Sequence, residues 1–209
     1  MPMDLFDVSS YDAAHNHLPF DGKVNYFGPI FEARADSFFE RLKSGIDWQR
    51  DEVMMYGKHI QTQRKYAWYA ERPFSYTYSG IQRVAQLWNK DLITIKKLVE
   101  KQTGHTFNSC LLNLYHTGEE GMGWHSDAEK ELVKGASIAS VSLGADRRFD
   151  FKHQTLGTKL SIELKHGSLL LMDSESQKHW LHQLPKTTKV SEPRINLTFR
   201  SMQGWTVVS

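Results

Sequence analysis

From Thr106 onward the sequence changes period, and that change limits the fold more than any other feature. Residues 107–115, 136–143, 148–153, 159–164, 168–172 and 194–201 are short segments rich in aliphatic, aromatic or β-branched side chains. Gly, Asp or Pro separates most of them. Two helical spacings come earlier. Phe31, Phe38, Phe39 and Leu42 form the first, which Gly45 terminates. Residues 81–104 form the longer one, with Val84, Leu87, Trp88, Leu92, Ile95, Leu98 and Val99, closed by Gly104. Further strands are expected at 23–27, 48–56, 61–69 and 73–80. Many short strands after two helices predict an α+β chain in which helices pack on one side of a double-sheet jelly roll. Periodicity alone does not choose a jelly roll over another barrel. Residues 1–22 are polar and aperiodic and read as a partly ordered arm; 23–209 read as a single domain.

Within the strand-rich half, Leu111–Asp127 reads LLNLYHTGEEGMGWHSD. On an extended chain, residues i and i+2 point to the same face, so His125 and Asp127 can converge on one point. A histidine and a carboxylate offered together form two corners of the 2-His-1-carboxylate site of non-haem Fe(II) oxygenases. A lone H-x-D is weak evidence in a chain with ten histidines. Two other features strengthen it. Upstream, Asn113 and Tyr115 end an apolar strand with two polar side chains on one face. Downstream of His182, Arg194, Asn196, Thr198 and Arg200 share one face of a strand whose other face carries Leu197 and Phe199. Arginines opposite such apolar residues do not fit an outward-facing edge strand. Spacing alone leaves the third ligand open, because His179 and His182 both sit in KHWLHQLP.

Taken together, N-x-Y, H-x-D and a histidine followed by R-x-N-x-x-x-R resemble the AlkB family of Fe(II)/2-oxoglutarate-dependent dioxygenases. The resemblance covers about residues 54–200. It implies the double-stranded β-helix fold, Fe(II) as cofactor, and 2-oxoglutarate and O₂ as co-substrates. It also implies His125, Asp127 and His182 as iron ligands, since the family pattern places the third ligand twelve residues before the first arginine. His179 is then a structural or supporting group. Asn113, Tyr115, Arg194, Asn196 and Arg200 are implied to hold 2-oxoglutarate, Arg194 at the distal carboxylate and Arg200 near the one at the metal. Burying a dianion needs paired cations, and arginine offers each carboxylate a planar fork.

Composition sets the remaining bounds. The 209 residues are 40% hydrophobic and 24% charged, as in an ordinary globule, and no run approaches a membrane span. The first residues lack the layout of a secretory signal. Cys110 is the single cysteine, which excludes an internal disulfide and suits a reducing compartment; it sits in an apolar run and reads as core. A cytoplasmic protein is expected, nuclear if the source has a nucleus, acting as a monomer.

Net charge is only +2, but residues 58–101 hold nine basic and three acidic side chains, whereas 1–52 hold five and ten. A basic segment interleaved with aromatics suits nucleic acid. The bland reading, a solvated helix face, applies to Lys90, Lys96, Lys97 and Lys101. The family's duplex-DNA branch is similar through MMYGKHIQTQRKYAWYAERPFSYTYSG, residues 54–80, which the resemblance makes a nucleotide-recognition lid. It implies Tyr56 as the residue filling the gap left by a flipped base, where the family usually has Phe, and Arg64, Tyr76 and Tyr78 at the base pocket. Glu129 is expected to face a cationic methylated base, whereas Ala128 departs from the branch, which has an acidic residue there. Phe149, Phe151 and His153 are placed at the pocket's border. The expected activity is therefore demethylation of 1-methyladenine and 3-methylcytosine in DNA, duplex or single-stranded, and by extension RNA. The rivals are an RNA or tRNA demethylase, a protein or small-molecule hydroxylase, and a non-catalytic nucleic-acid-binding barrel.

Overall fold

The structure, a computed structural model, describes residues 11–55, 58–78, 81–127, 129–203 and 206–207, without the side chains of 51–55, 58–61, 74–78, 81–83 and 206–207. The N-terminal half runs β1 (Val24–Pro29), α1 (Ala35–Gly45), β2 (Gln49–Met55), β3 (Lys58–Ala70), β4 (Phe74–Tyr78), β5 (Ile81–Val84), β6 (Gln86–Leu87) and α2 (Lys90–Thr103). There follow β7 (Ser109–Tyr115), β8 (Met122–His125), β9 (Ile138–Gly144), β10 (Arg147–His153), β11 (Lys159–Leu164) and β12 (Ser168–Met172). The chain closes with α3 (Ser174–His179), β13 (Trp180–Leu184), β14 (Arg194–Arg200) and β15 (Thr206–Val207). The architecture is mostly antiparallel sheet with few helices, consistent with a jelly roll. The large sheet has the order β1-β12-β9-β14-β7-β3-β2, with β6 beside β3; the small one has the order β11-β10-β13-β8. A third sheet joins β15, β4 and β5.

Alternation along the central strands decides what each face of the large sheet does. Ile195, Leu197 and Phe199 of β14, Leu112 and Leu114 of β7, and Val141 and Leu143 of β9 form one buried apolar face. Helices α1 and α2 cover it with Phe38, Phe39, Leu42, Leu92, Ile95 and Val99. The opposite face, turned to the small sheet, carries Asn113, Tyr115, Arg194, Asn196, Thr198 and Arg200, in register across β7 and β14. Between the sheets, Tyr26, Phe149, Phe151, Ile162, Leu170 and Trp180 pack a second apolar core. A polar interior is left at the other end of the sandwich. At Gly144 (φ +88°), a Cβ would lie 2.4 Å from the Pro193 carbonyl oxygen, so glycine lets β14 begin tight against β9.

Two expectations need correction. The helix expected over 81–104 starts at Lys90: residues 81–84 instead pair with β4 as strand β5. Val84 and Leu87, counted toward the helical stripe, are 52% and 61% exposed. The physical start signal is Asn89, whose side chain accepts the Leu92 backbone N–H at 2.9 Å. The sequence reading also did not anticipate β8, α3 or β13, the elements that carry His125, Gln177 and His182.

If Asn89 sets the helix start, Asn89→Ala should lower unfolding free energy by about 1 kcal/mol in urea denaturation. An unchanged midpoint would leave the boundary to packing of Leu92 and Ile95 alone.

Candidate metal and co-substrate site

Strand β8 ends on His125, and the antiparallel register of the small sheet places His182 of β13 directly opposite. The two imidazole centroids are 4.3 Å apart. Asp127 lies beyond the end of β8, so its approach is made by the loop and not by strand alternation. The donor atoms of His125, Asp127 and His182 lie within 4.8 Å of one another. The loop is fixed by the Asp127 backbone N–H, which donates to Gln177 Oε1 at 3.0 Å.

Protonation states follow from the partners. His125 Nδ1 lies 2.8 Å from the Gly123 carbonyl oxygen. A carbonyl only accepts, so Nδ1 carries a proton and Nε2 is the ring nitrogen that would face a metal. Burial lowers the His182 imidazole to about 3, with His125 adding to the effect and Asp127 opposing it. Burial alone would raise the Asp127 carboxyl, but the charge and hydrogen bond of Arg200, with both histidines, hold it at about 2. Arg200 Nη2 donates to Asp127 Oδ1 at 2.7 Å, with both side chains under a tenth exposed. The neutral imidazole of His182 and the carboxylate of Asp127 are in the states a divalent metal requires. This donor set fits Fe(II) and covers one side of the ion.

A cavity of about 350 Å³ opens at these groups; Asn113, Tyr115, Asn196 and Arg200 line it. Arg194 is 1% exposed, and its guanidinium lies over the ring of Tyr115, a lining residue, at 5.5 Å. Its Nη2 donates to Ser142 Oγ at 2.8 Å, while Nε and Nη1 have no hydrogen-bond partner among the described residues. Burial lowers Arg194 to about 10, with Tyr115 opposing the shift, so the group stays charged at neutral pH. A buried cation with two unfilled donors calls for an anion, and a planar carboxylate matches the fork. The residues present therefore fit a small dicarboxylate beside the metal. Asn196 Nδ2 donates to Ser140 Oγ and the Val141 carbonyl, so its amide nitrogen is committed to the sheet.

Of the residues assigned to the base, Arg64 lines the same cavity and is 9% exposed; its Nη1 approaches Met122 Sδ at 3.2 Å. Glu129 lines it too, with Oε2 buried and no partner among the described residues. Phe149 lines the cavity, its ring centroid 5.3 Å from that of His182, and Phe151 packs on the same imidazole. Tyr56 and Ala128 lie outside the described residues. Tyr76 and Tyr78 are on β4, paired with Arg83 and Ile81, and their side chains lie outside the description.

His153 and His179 sit elsewhere, stacked at 6.2 Å beside Asp21. These three also bring donor atoms within 4.8 Å. Here the hydrogen bonding argues against a metal. His153 Nδ1 accepts the Leu156 backbone N–H at 3.1 Å, which puts the ring proton on Nε2, 3.1 Å from Asp21 Oδ2. That nitrogen is a donor to Asp21 and has no lone pair to give. Three residues near the cavity escaped the sequence reading. Ser140 and Ser142 alternate within the apolar run of β9, a readable signal of a polar face. Gln177 lies on a six-residue helix too short for a period to show.

Residues 24–200 match the model of the 2OG-Fe(II) oxygenase superfamily. The chain is 38% identical to human DNA oxidative demethylase ALKBH2 over 89% of its own length and 76% of that protein. It is 37% identical to the bovine ALKBH2 protein, covering 82% of this chain and 66% of the relative. With bovine alpha-ketoglutarate-dependent dioxygenase alkB homolog 3 the identity is 39%, over 80% of this chain and 62% of the relative. The chain thus spans just under two thirds of each bovine relative. Among solved structures, OsALKBH1 superposes with a TM-score of 0.60 at 14% identity, covering 85% of this chain and 97% of that one. A 2OG-Fe(II) oxygenase family protein from Burkholderia pseudomallei gives 0.56 at 11% identity, over 90% and 87%. Both likenesses are of fold.

Gln177→Ala should leave the buried Asp127 N–H without an acceptor and loosen the carboxylate. The expected result is Mn(II) affinity about 10-fold weaker or more by calorimetric titration, with the cooperative melt retained. Unchanged affinity would mean that the loop holds Asp127 without Gln177.

Proposed function

Because the chain belongs to the AlkB family of 2OG-Fe(II) oxygenases, we propose that it is a DNA oxidative demethylase acting as a monomer on N-methylated bases. The observation that carries this is one cavity lined by the His125-Asp127-His182 cluster and by Tyr115, over whose ring lies a buried arginine, Arg194, with two unfilled donors. The ALKBH2 and alkB homolog 3 relatives, with their demethylase and dioxygenase names, support the choice of substrate. As a 2OG-Fe(II) oxygenase the chain uses Fe(II), 2-oxoglutarate and O₂. When bound, these supply the oxidation that converts an N-methyl C–H bond to C–OH, while 2-oxoglutarate becomes succinate and CO₂.

The chain's own residues do the rest. His125, Asp127 and His182 hold the metal from one side, and Arg200 keeps Asp127 ionised as a ligand. Arg194 binds the distal carboxylate of 2-oxoglutarate, with Tyr115 and Asn113 as neighbouring donors, and so fixes which end reaches the metal. Phe149 and Phe151 wall the metal-side imidazole from bulk water. On the substrate side, 1-methyladenine and 3-methylcytosine are cationic. Glu129, with a buried unpartnered carboxylate oxygen, gives such a base a counter-charge and leaves a neutral base without one. Arg64 stands at the same wall. The hydroxymethyl product loses formaldehyde and restores the base. Residues 54–80 act as the recognition lid, with Tyr56 filling the vacated stack. Nuclear or cytoplasmic placement accords with this role; no helix among the described residues is long and apolar enough to cross a membrane.

The test is formaldehyde release from a 1-methyladenine oligonucleotide with Fe(II) and 2-oxoglutarate. His182→Ala should abolish release and His179→Ala should leave it measurable; the reverse would move the metal to the wrong histidine. Arg194→Lys keeps the charge but loses the fork, and should raise the apparent KM for 2-oxoglutarate by at least 10-fold with little change in oligonucleotide affinity. An unchanged KM would place Arg194 outside the co-substrate site.

A further inference from the structure

Around Arg147 the chain passes between the two main sheets three times. Residues 116–121 lead from β7 to β8, residues 145–146 from β9 to β10, and residues 185–193 from β13 to β14. The first crossing joins Asn113 and Tyr115 to His125, and the third joins His182 to Arg194. Each of these two carries a histidine of the metal cluster on one side and a co-substrate residue on the other. How far apart those groups stand depends on how the crossings are fastened.

Arg147, the first residue of β10, sits among them and is 2% exposed. Its Nη2 donates to the carbonyl oxygens of Pro185 at 2.8 Å, Glu120 at 3.0 Å and Gly118 at 3.3 Å. Its Nη1 reaches the Thr117 carbonyl oxygen at 3.4 Å. None of these partners is a carboxylate, because that of Glu120 is turned to the backbone N–H and ring of His116. A buried guanidinium needs its donors filled, and here two loops fill them at once. The loops also bond each other: the Gly118 N–H donates to the Val190 carbonyl at 2.7 Å, and the Thr187 N–H to that of Gly118 at 2.8 Å. A Cβ at Gly118 would lie 2.4 Å from the Thr187 carbonyl oxygen, so the loops close this tightly only on a glycine. The remaining crossing is tied in by the Ala145 N–H, which donates to the Pro193 carbonyl at 2.9 Å.

The sheets are thus joined at both ends of β14. At one end Arg200 bonds Asp127; at the other, Arg147 fastens the crossings beside Arg194. Arg194 is in register with Tyr115 and Gly144, the residues from which two of the crossings leave. We infer that Arg147 is a positioning residue: by clamping the crossings it sets the span from the His125-Asp127-His182 cluster to Arg194, and with it the fit of a dicarboxylate that must reach both. The inference rests on the co-substrate reading given above. The Arg200–Asp127 pair and the pairing of β8 with β13 do not run through Arg147, so a ligand that touches the metal alone is insensitive to it. A lysine at this position would keep the charge, but one ammonium does not replace a planar fork laid across two loops.

The probes are oxalate, whose two carboxylates both serve the metal, and 2-oxoglutarate, each titrated calorimetrically into Mn(II)-loaded protein so that no turnover is needed. Arg147→Lys should bind 2-oxoglutarate about 10-fold more weakly or worse, with oxalate affinity within about 2-fold of the parent, since misplacement penalises the ligand that must be oriented at both ends. Gly118→Ala forces the loops apart without changing any charge or cavity side chain. It should show the same split, and it carries the test if Arg147→Lys does not melt cooperatively. Equal weakening of both ligands, or unchanged 2-oxoglutarate affinity, would overturn the inference. A parent protein that does not bind 2-oxoglutarate would sink the co-substrate reading itself, and this inference with it.

Discussion

The structure turns on a buried ion pair, Arg200 to Asp127, 2.7 Å apart with both side chains under a tenth exposed. Taking both charges out of water costs several kcal/mol each, and a pair alone often fails to offset that cost. Replacing it with apolar groups would give a simpler core. What the pair secures is a carboxylate that stays ionised inside the protein, next to the buried, neutral imidazole of His182. Without Arg200, burial would push Asp127 toward its protonated form and the third donor would weaken as a metal ligand. The position of Asp127 depends on a second contact, Gln177 to its backbone N–H. Charge and position are thus set by different elements, β14 and α3, which meet only when both sheets are assembled.

The same logic explains why β14 is central and polar on one face. A strand between β9 and β7 is paired on both sides without a register shift. Arg194 and Arg200 sit six residues apart on it, so their separation is set by backbone geometry and not by a loop. Helices α1 and α2 cover the reverse face, which frees the inner face from carrying the apolar burden of the fold. The second core, around Trp180, Phe151 and Leu170, closes the other end of the sandwich and keeps the polar cavity local.

Much of this could be read from the chain. Strand-like segments marked most strands of the large sheet and two of the four in the small one, and the alternation of Arg194, Asn196, Thr198 and Arg200 against Ile195, Leu197 and Phe199 identified one strand with unlike faces. The H-x-D pattern named His125 and Asp127, the family resemblance added His182, and the fold brings the donor atoms of all three within 4.8 Å. The failures have physical causes. Residues 81–87 carry apolar side chains at helical spacing, yet backbone pairing with β4 and an asparagine cap outweigh that pattern. Strands β8 and β13 are short, and β8 holds two glycine-flanked positions that dilute any period. Gln177 is invisible because its role is a single hydrogen bond to a residue fifty positions away.

The most direct measurement is a crystal structure of the anaerobic Fe(II)–2-oxoglutarate complex with iron located by anomalous scattering. The account predicts one strong iron peak among His125, Asp127 and His182, with the distal carboxylate of 2-oxoglutarate taking up the unfilled donors of Arg194. Iron between Asp21, His153 and His179, or a co-substrate that leaves Arg194 untouched, would contradict it.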